Sequence, residues 1–183
     1  MPSKLIRKIF SQINSGLKIM NKNDQTHRDL KPENFLFSYI NDNKTDFIIK
    51  IGDFGLAKNL LSTKTVTNQG TDLFKAPEIE KGEPSNKCKK CDLYSIGIIL
   101  YYLKTEKYIF DDETWDKIKK NKKENIIKKY TDDEKLNDLI KKLVVIDPHK
   151  RMEWKDYFDH PFFKVNDEDV KDVKESEECK IKN

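Results

Sequence analysis

His27-Arg28-Asp29-Leu30-Lys31-Pro32-Glu33-Asn34 is the stretch on which the reading of this chain turns. It is polar, carries both signs of charge and lies between two segments of clear periodicity. Before it, Leu5, Ile6, Ile9, Phe10, Ile13, Leu17 and Met20 recur at helical spacing, which predicts a helix with one apolar face over 4–20. Ser3 stands where a side-chain oxygen would cap that helix. After it, Phe35-Leu36-Phe37 and Phe47-Ile48-Ile49-Lys50-Ile51 read as two short strands, with Asn41-Asp42-Asn43 as the turn between them. A loop hung between a helix and a strand is a place where a rigid scaffold presents polar groups.

Further along, 53–83 is irregular and rich in Thr, Asn and Gly, and a run of that length inside a compact domain is usually functional. The segment 92–103 is apolar nearly all round, so it is predicted to be a helix at the centre of the core. The segment 132–145 is amphipathic, with Asp147-Pro148 to stop it, and 153–158 reads as a last short helix before His160-Pro161-Phe162-Phe163. The predicted class is mainly α with one small β-hairpin. Residues 1–163 form the domain, and 164–183 is a charged tail expected to be disordered.

Composition narrows the function classes. Lys plus Arg number 36 and Asp plus Glu 32, for a net charge of +4 with the signs interspersed. That is a mixed surface rather than one built for a polyanion, so no nucleic-acid partner is expected. The basic stretch 117–129 reads as a solvated helix face. Three cysteines, Cys88, Cys91 and Cys179, are too few and odd in number for a disulfide scaffold and fit a reducing compartment. Cys88 and Cys91 have zinc-ligand spacing, but no second pair exists to complete a structural site. No apolar run reaches membrane-spanning length, and 1–4 leads into the first helix without a signal-peptide core, so a soluble, cytoplasmic protein is expected.

The chemistry of the decisive stretch comes into view with Asp53-Phe54-Gly55, whose Asp stands nineteen residues past Asn34. Mg²⁺ is a hard cation that takes carboxylate and amide oxygens. Asn34 and Asp53 supply one of each at the ends of adjacent strands. Asp29 is left to accept a hydroxyl proton, and Lys31 puts a positive charge nearby, a combination suited to phosphoryl transfer.

These motifs resemble the protein kinase superfamily, in its eukaryotic serine/threonine form, over about 4–163. The resemblance implies that Asp29 is the catalytic base and that Lys31 contacts the γ-phosphate. It implies that Asn34 and Asp53 hold Mg²⁺ and that Thr71, in Gly70-Thr71, bonds the catalytic Asp and Lys. The nucleotide-contacting set would be Lys31, Glu33, Asn34, Leu36 and Asp53, with ATP and Mg²⁺ as cofactors and a protein Ser/Thr hydroxyl as acceptor. Phe54 would pack under His27, itself a structural histidine rather than a base. Thr67 would be the activating phosphosite, with Ser62, Thr63 and Thr65 competing, and Arg28 would receive that phosphate. Ala76-Pro77-Glu78 would close the activation segment, Asp92 would brace the catalytic loop, and Arg151 would form a buried pair with Glu78. The run Arg151–Phe163, and Glu33-Asn34-Phe35-Leu36-Phe37, lean toward autophagy-initiating and calcium/calmodulin-dependent-like kinases.

The chain departs from the family pattern upstream. None of its 6 glycines precedes Gly16, and no Gly-rich loop or Val-Ala-Ile-Lys-like segment occurs. The expectation is therefore a C-terminal lobe without its N-terminal lobe, weakly active or inactive alone, with Leu36 as the lower wall of the adenine site. The alternative expectation is a non-catalytic interaction module derived from a kinase. Asp111, Asp112 and Glu113 read as an acidic helix N-terminus, with selection of a basic peptide as the functional alternative.

Overall fold

The computed structural model describes residues 1–42, 46–52, 73–82, 89–111, 114 and 131–164. Helix α1, Ser3–Lys22, buries Ile6, Phe10, Ile13, Leu17 and Met20, one apolar stripe at alternating steps of four and three. It starts one residue earlier than the sequence suggests, because Pro2, not Ser3, is the flanking residue. Pro2 is extended (φ −64°, ψ 140°), and its carbonyl accepts from Leu5 N (3.1 Å) and Ile6 N (3.2 Å). Ser3 is already helical, so its hydroxyl points away from the orphan N–H groups, and the expected Ser3 cap does not form. The helix ends where Asn23 Nδ2 donates back to Ile19 O at 2.8 Å and Asp24 turns to φ +51°.

Strands β1, Phe35–Tyr39, and β2, Phe47–Ile51, form an antiparallel pair in which Phe35 faces Ile51 and Tyr39 faces Phe47. One face carries Phe35, Phe37, Phe47, Ile49 and Ile51 toward the core; the other leaves Leu36 (61 % exposed) and Ile48 (41 %) uncovered. The outer edge of β2 would expose unpaired backbone groups. Gln12 of α1 closes it: its Oε1 accepts from Ile49 N at 2.9 Å, and its Nε2 donates to Phe47 O at 3.1 Å. One side chain thus joins helix and hairpin.

Helix α2, Pro77–Glu80, is a single turn with Pro at its first position. Helix α3, Cys91–Thr105, is buried without a break from Cys91 to Leu100, as expected of a helix apolar on every side. Helix α4, Glu134–Leu143, packs on it. Their approach depends on Gly97: a Cβ there would lie 2.6 Å from Val144 Cγ2 and 2.8 Å from Leu143 Cβ. Helix α4 is shorter than the predicted 132–145. Asp133 caps it by accepting from Leu136 N at 2.9 Å, while Thr131 and Asn137 lock the approach. At the other end Val144 leaves the helix (φ −85°, ψ 63°), and the carbonyl of Lys142 is taken by Met152 N at 3.2 Å. A tertiary contact, not Pro148, stops it. Helix α5, Trp154–Phe158, has Glu153 as its flanking residue and leads into a 3₁₀ turn, Pro161–Phe163. Tyr157 is buried, its hydroxyl donating to Asn14 Oδ1 of α1 at 2.7 Å.

Among the described residues the fold is therefore mainly helical with one two-stranded sheet, and no helix is long and apolar enough to cross a membrane. The expected tail from Val165 onward and most of 111–130 lie outside the described residues.

Candidate active site

Helix α1 delivers the chain to the decisive loop, and α3 holds that loop in place. Asp92, in the first turn of α3, is buried; its Oδ2 accepts from His27 N at 2.7 Å and its Oδ1 from Arg28 N at 2.8 Å. Burial pushes the Asp92 carboxyl up, and the two N–H groups oppose that shift. Arg28 sits at φ +69°, a left-handed conformation that costs about 1–2 kcal/mol for a residue with a Cβ. Two charge-assisted hydrogen bonds to Asp92 hold it there.

The other side of the loop is tied to β2. His27 is fully buried, and its ring Nε2 lies 2.9 Å from Gly52 O. A carbonyl can only accept, so this nitrogen carries the proton. His27 is thus a packed structural residue. Gly52 N donates to Asn34 O at 2.8 Å, so both backbone groups of Gly52 are fixed by the loop. A Cβ at Gly52 would lie 2.8 Å from Leu36 Cγ, which is why no side chain fits.

Pro32–Asn34 forms a 3₁₀ turn that swings Asn34 back over Asp29. Asn34 Nδ2 donates to Asp29 O at 2.7 Å and meets Asp29 Oδ2 at 3.3 Å. Both partners are oxygens, so Nδ2 must face them and Oδ1 must face the other way. Asn34 therefore presents a hard oxygen of the kind Mg²⁺ accepts, so its geometry fits that ion.

Asp29 is 9 % exposed and flanked by two lysines. Lys31 Nζ lies 3.1 Å from Oδ2, and Lys75 Nζ lies 3.6 Å from Oδ1. Burial alone would raise the Asp29 carboxyl. The hydrogen bond and charge of Lys31, the charge of Lys75 and the Asn34 amide outweigh it, so the group stays below the ordinary carboxylate value. An ionised carboxylate at the base of a loop, with cations on both oxygens, can orient and accept a proton from a hydroxyl.

Lys75 is the residue that sequence reasoning missed. Its approach to Asp29 depends on the anchoring of the segment 73–80. Glu78 is buried and bound by Arg151, with Nη1 to Oε1 at 2.6 Å and Nη2 to Oε2 at 3.1 Å. The expected pair is therefore present. Arg151 also donates from Nε and Nη2 to Val145 O (3.0 and 2.9 Å) and from Nη1 to Lys90 O (2.7 Å). All five of its N–H bonds are used, which is what permits a guanidinium to be buried. On the same segment, Phe74 packs edge-on against Tyr102 and Tyr108, ring centroids 6.0 Å away.

Of the other predicted site residues, Glu33 is exposed in the 3₁₀ turn and Leu36 is exposed on the hairpin. Asp53, Phe54, Thr67, Gly70 and Thr71 lie outside the described residues, as do Ser62, Thr63, Thr65 and Cys88. Asp53 follows Gly52 directly in the chain.

Comparison with known proteins agrees with this arrangement. The family model described as the protein kinase domain matches residues 1–163. Calcium-dependent protein kinase 4 of Plasmodium falciparum is 36 % identical over 168 residues, which cover 86 % of this chain and 30 % of that protein. Serine/threonine-protein kinase atg1 of Dictyostelium discoideum is 35 % identical over 164 residues, covering 87 % of this chain and 24 % of the relative. Serine/threonine-protein kinase TIO of Arabidopsis thaliana is 31 % identical over 176 residues, covering 93 % and 12 %. The chain thus spans 30 % or less of the length of these relatives. With the loop braced by Asp92, the buried Arg151–Glu78 pair and a family match that runs from Met1 to Phe163, this chain belongs to the protein kinase domain family, in its eukaryotic serine/threonine branch.

Proposed function

We propose that this chain carries the acceptor side of a serine/threonine protein kinase active site, in a protein that moves the terminal phosphate of ATP to Ser or Thr hydroxyls of protein substrates. The observation that carries this reading is the Asp29 carboxylate, held between Lys31 and Lys75 under the Asn34 amide. Asp29 orients the acceptor hydroxyl and takes its proton. Lys31 reaches toward the phosphate side of the loop and neutralises charge there. Asn34, with Asp53 beside the end of β2, would hold Mg²⁺, which shields the phosphate oxygens when bound. Thr71 would join the Asp29–Lys31 pair, and Glu33 and Leu36 would border the nucleotide.

These 183 residues contain no Gly-x-Gly pattern and so supply no glycine-rich cover for phosphates. The 183-residue chain alone is therefore proposed to turn over slowly or not at all, in a cytoplasmic setting and with no nucleic-acid partner. Transfer of labelled γ-phosphate to a generic Ser/Thr protein tests this. A longer form that includes upstream codons should lose about 10²–10⁴-fold in rate with Asp29→Asn. Turnover indifferent to Asp29→Asn would overturn the base assignment, and robust turnover by the 183-residue chain would overturn the claim of weak activity.

A further inference from the structure

Lys75 is not needed to explain a carboxylate that Lys31 already neutralises. The two lysines reach Asp29 from different directions: Lys31 from the same loop on Oδ2, and Lys75 from the separately anchored segment 73–80 on Oδ1. Lys75 is 26 % exposed, so its ammonium is partly open to solvent beside a nearly buried carboxylate. Its backbone is fixed on both sides, by Phe74 against Tyr102 and by Glu78 on Arg151. A cation held this way has a defined reach, unlike a lysine on a free loop.

Geometry sets that reach. A hydroxyl whose proton goes to Asp29 must lie about 2.6–3.2 Å from a carboxylate oxygen. With Lys75 Nζ at 3.6 Å from Oδ1, a hydroxyl bound to that oxygen is at most about 7 Å from the ammonium. Neighbouring residues in an extended peptide are about 3.8 Å apart at Cα, so the side chain next to the acceptor can meet Lys75.

We propose that Lys75 is a specificity-determining residue: it selects protein substrates with an acidic side chain, Asp or Glu, immediately beside the acceptor Ser or Thr. The selection rests on the proposed role of Asp29 as the acceptor-side base. The carboxylate of the substrate takes a charge-assisted hydrogen bond from Nζ in a site with little water on one side. A lysine in the same substrate position meets like charge from Lys75 and is disfavoured. Glu33, exposed in the same loop, carries the opposite sign, so a preference for basic substrates is the competing outcome that the test must be able to return.

Binding to the 183-residue chain provides the test, because it needs no turnover. Fluorescence anisotropy compares serine peptides that differ only in the residue beside the serine, on either flank: Glu, Ala or Lys. One Glu peptide should bind about fivefold more tightly than its Ala counterpart at low salt, and the gap should shrink as salt screens it. Lys75→Arg should keep the ranking, and Lys75→Met, checked for an unchanged unfolding midpoint, should erase it. An unchanged ranking in Lys75→Met, a ranking that favours Ala or Lys, or no measurable binding of any peptide would each overturn the inference. Amide shifts mapped on Leu30–Asn34 separate the two layers. Peptides that perturb this loop but ignore Lys75→Met refute the selection and leave the site standing. Peptides that respond to Lys75→Met without perturbing the loop refute the location of the site, and with it the inference.

Discussion

Arg151→Met removes the one group that holds the segment 73–80 to the helical core. The guanidinium makes two bonds to Glu78, two to Val145 O and one to Lys90 O, and lies over the Tyr94 ring with Cζ 5.1 Å from its centroid. Removing it leaves the Glu78 carboxylate buried without its partner, which costs about 3–5 kcal/mol. Against a total stability of roughly 5–15 kcal/mol, that is a large fraction. For a chain of this size it lowers the melting temperature by about 10 °C or more. Replacing both partners, as Glu78→Leu with Arg151→Met, should not restore stability. The carbonyls of Val145 and Lys90 still lose their donors, at roughly 1–3 kcal/mol each where no water reaches them. Urea unfolding followed by circular dichroism measures all three variants against the parent. An Arg151→Met midpoint within about 1 kcal/mol of the parent would refute the claim that this pair anchors the segment. A double variant as stable as the parent would refute the account of the carbonyls.

Gly97→Ala should destabilise by about 1–3 kcal/mol, since its Cβ meets Val144 Cγ2 and Leu143 Cβ inside 3 Å and α3 and α4 must part; a neutral unfolding midpoint would contradict the close approach. Asp92→Asn should cost roughly 1–3 kcal/mol, because an amide offers one oxygen to two N–H donors. Its specific mark is faster hydrogen exchange at His27 and Arg28, and unchanged protection there would rule it out. Burial holds His160 below its ordinary value, with Asp138 partly opposing, while its Nδ1 accepts from Phe162 N at 3.2 Å. The unfolded chain therefore binds more protons near its pKa of about 6.5, so this contribution is complete above that pH and is lost as pH falls through the folded value. His160→Gln should flatten the decline in stability between about pH 7 and 5, and an identical slope would refute the assignment.

Much of this architecture can be read from one-dimensional pattern. The stripe from Ile6 to Met20, the all-round apolar run of α3 and the two β segments are local periodicities, and periodicity predicts burial because each element must hide its apolar face. Where the pattern misplaces an end, a specific contact intervenes: Pro2 in place of Ser3, Asp133 at the start of α4, and Met152 on the carbonyl of Lys142 at its end. The loop from His27 to Asn34 is recognisable because its residue types have few joint uses, and its resemblance to protein kinases, with Asp92 as brace and Arg151 with Glu78, agrees with the geometry found.

The sequence by itself determined which groups this chain has for chemistry, because residue type fixes charge, donor count and hardness wherever the chain goes. Only the tertiary structure decided which of them meet. Asp92 reaches His27 across a separation of 65 residues, and Arg151 reaches Glu78 across 73. Lys75 arrives at Asp29 because a buried guanidinium and an aromatic cluster hold its segment there. Local pattern carries no term for such distances. They follow from how apolar faces pack and from the need of every buried polar group to find a partner.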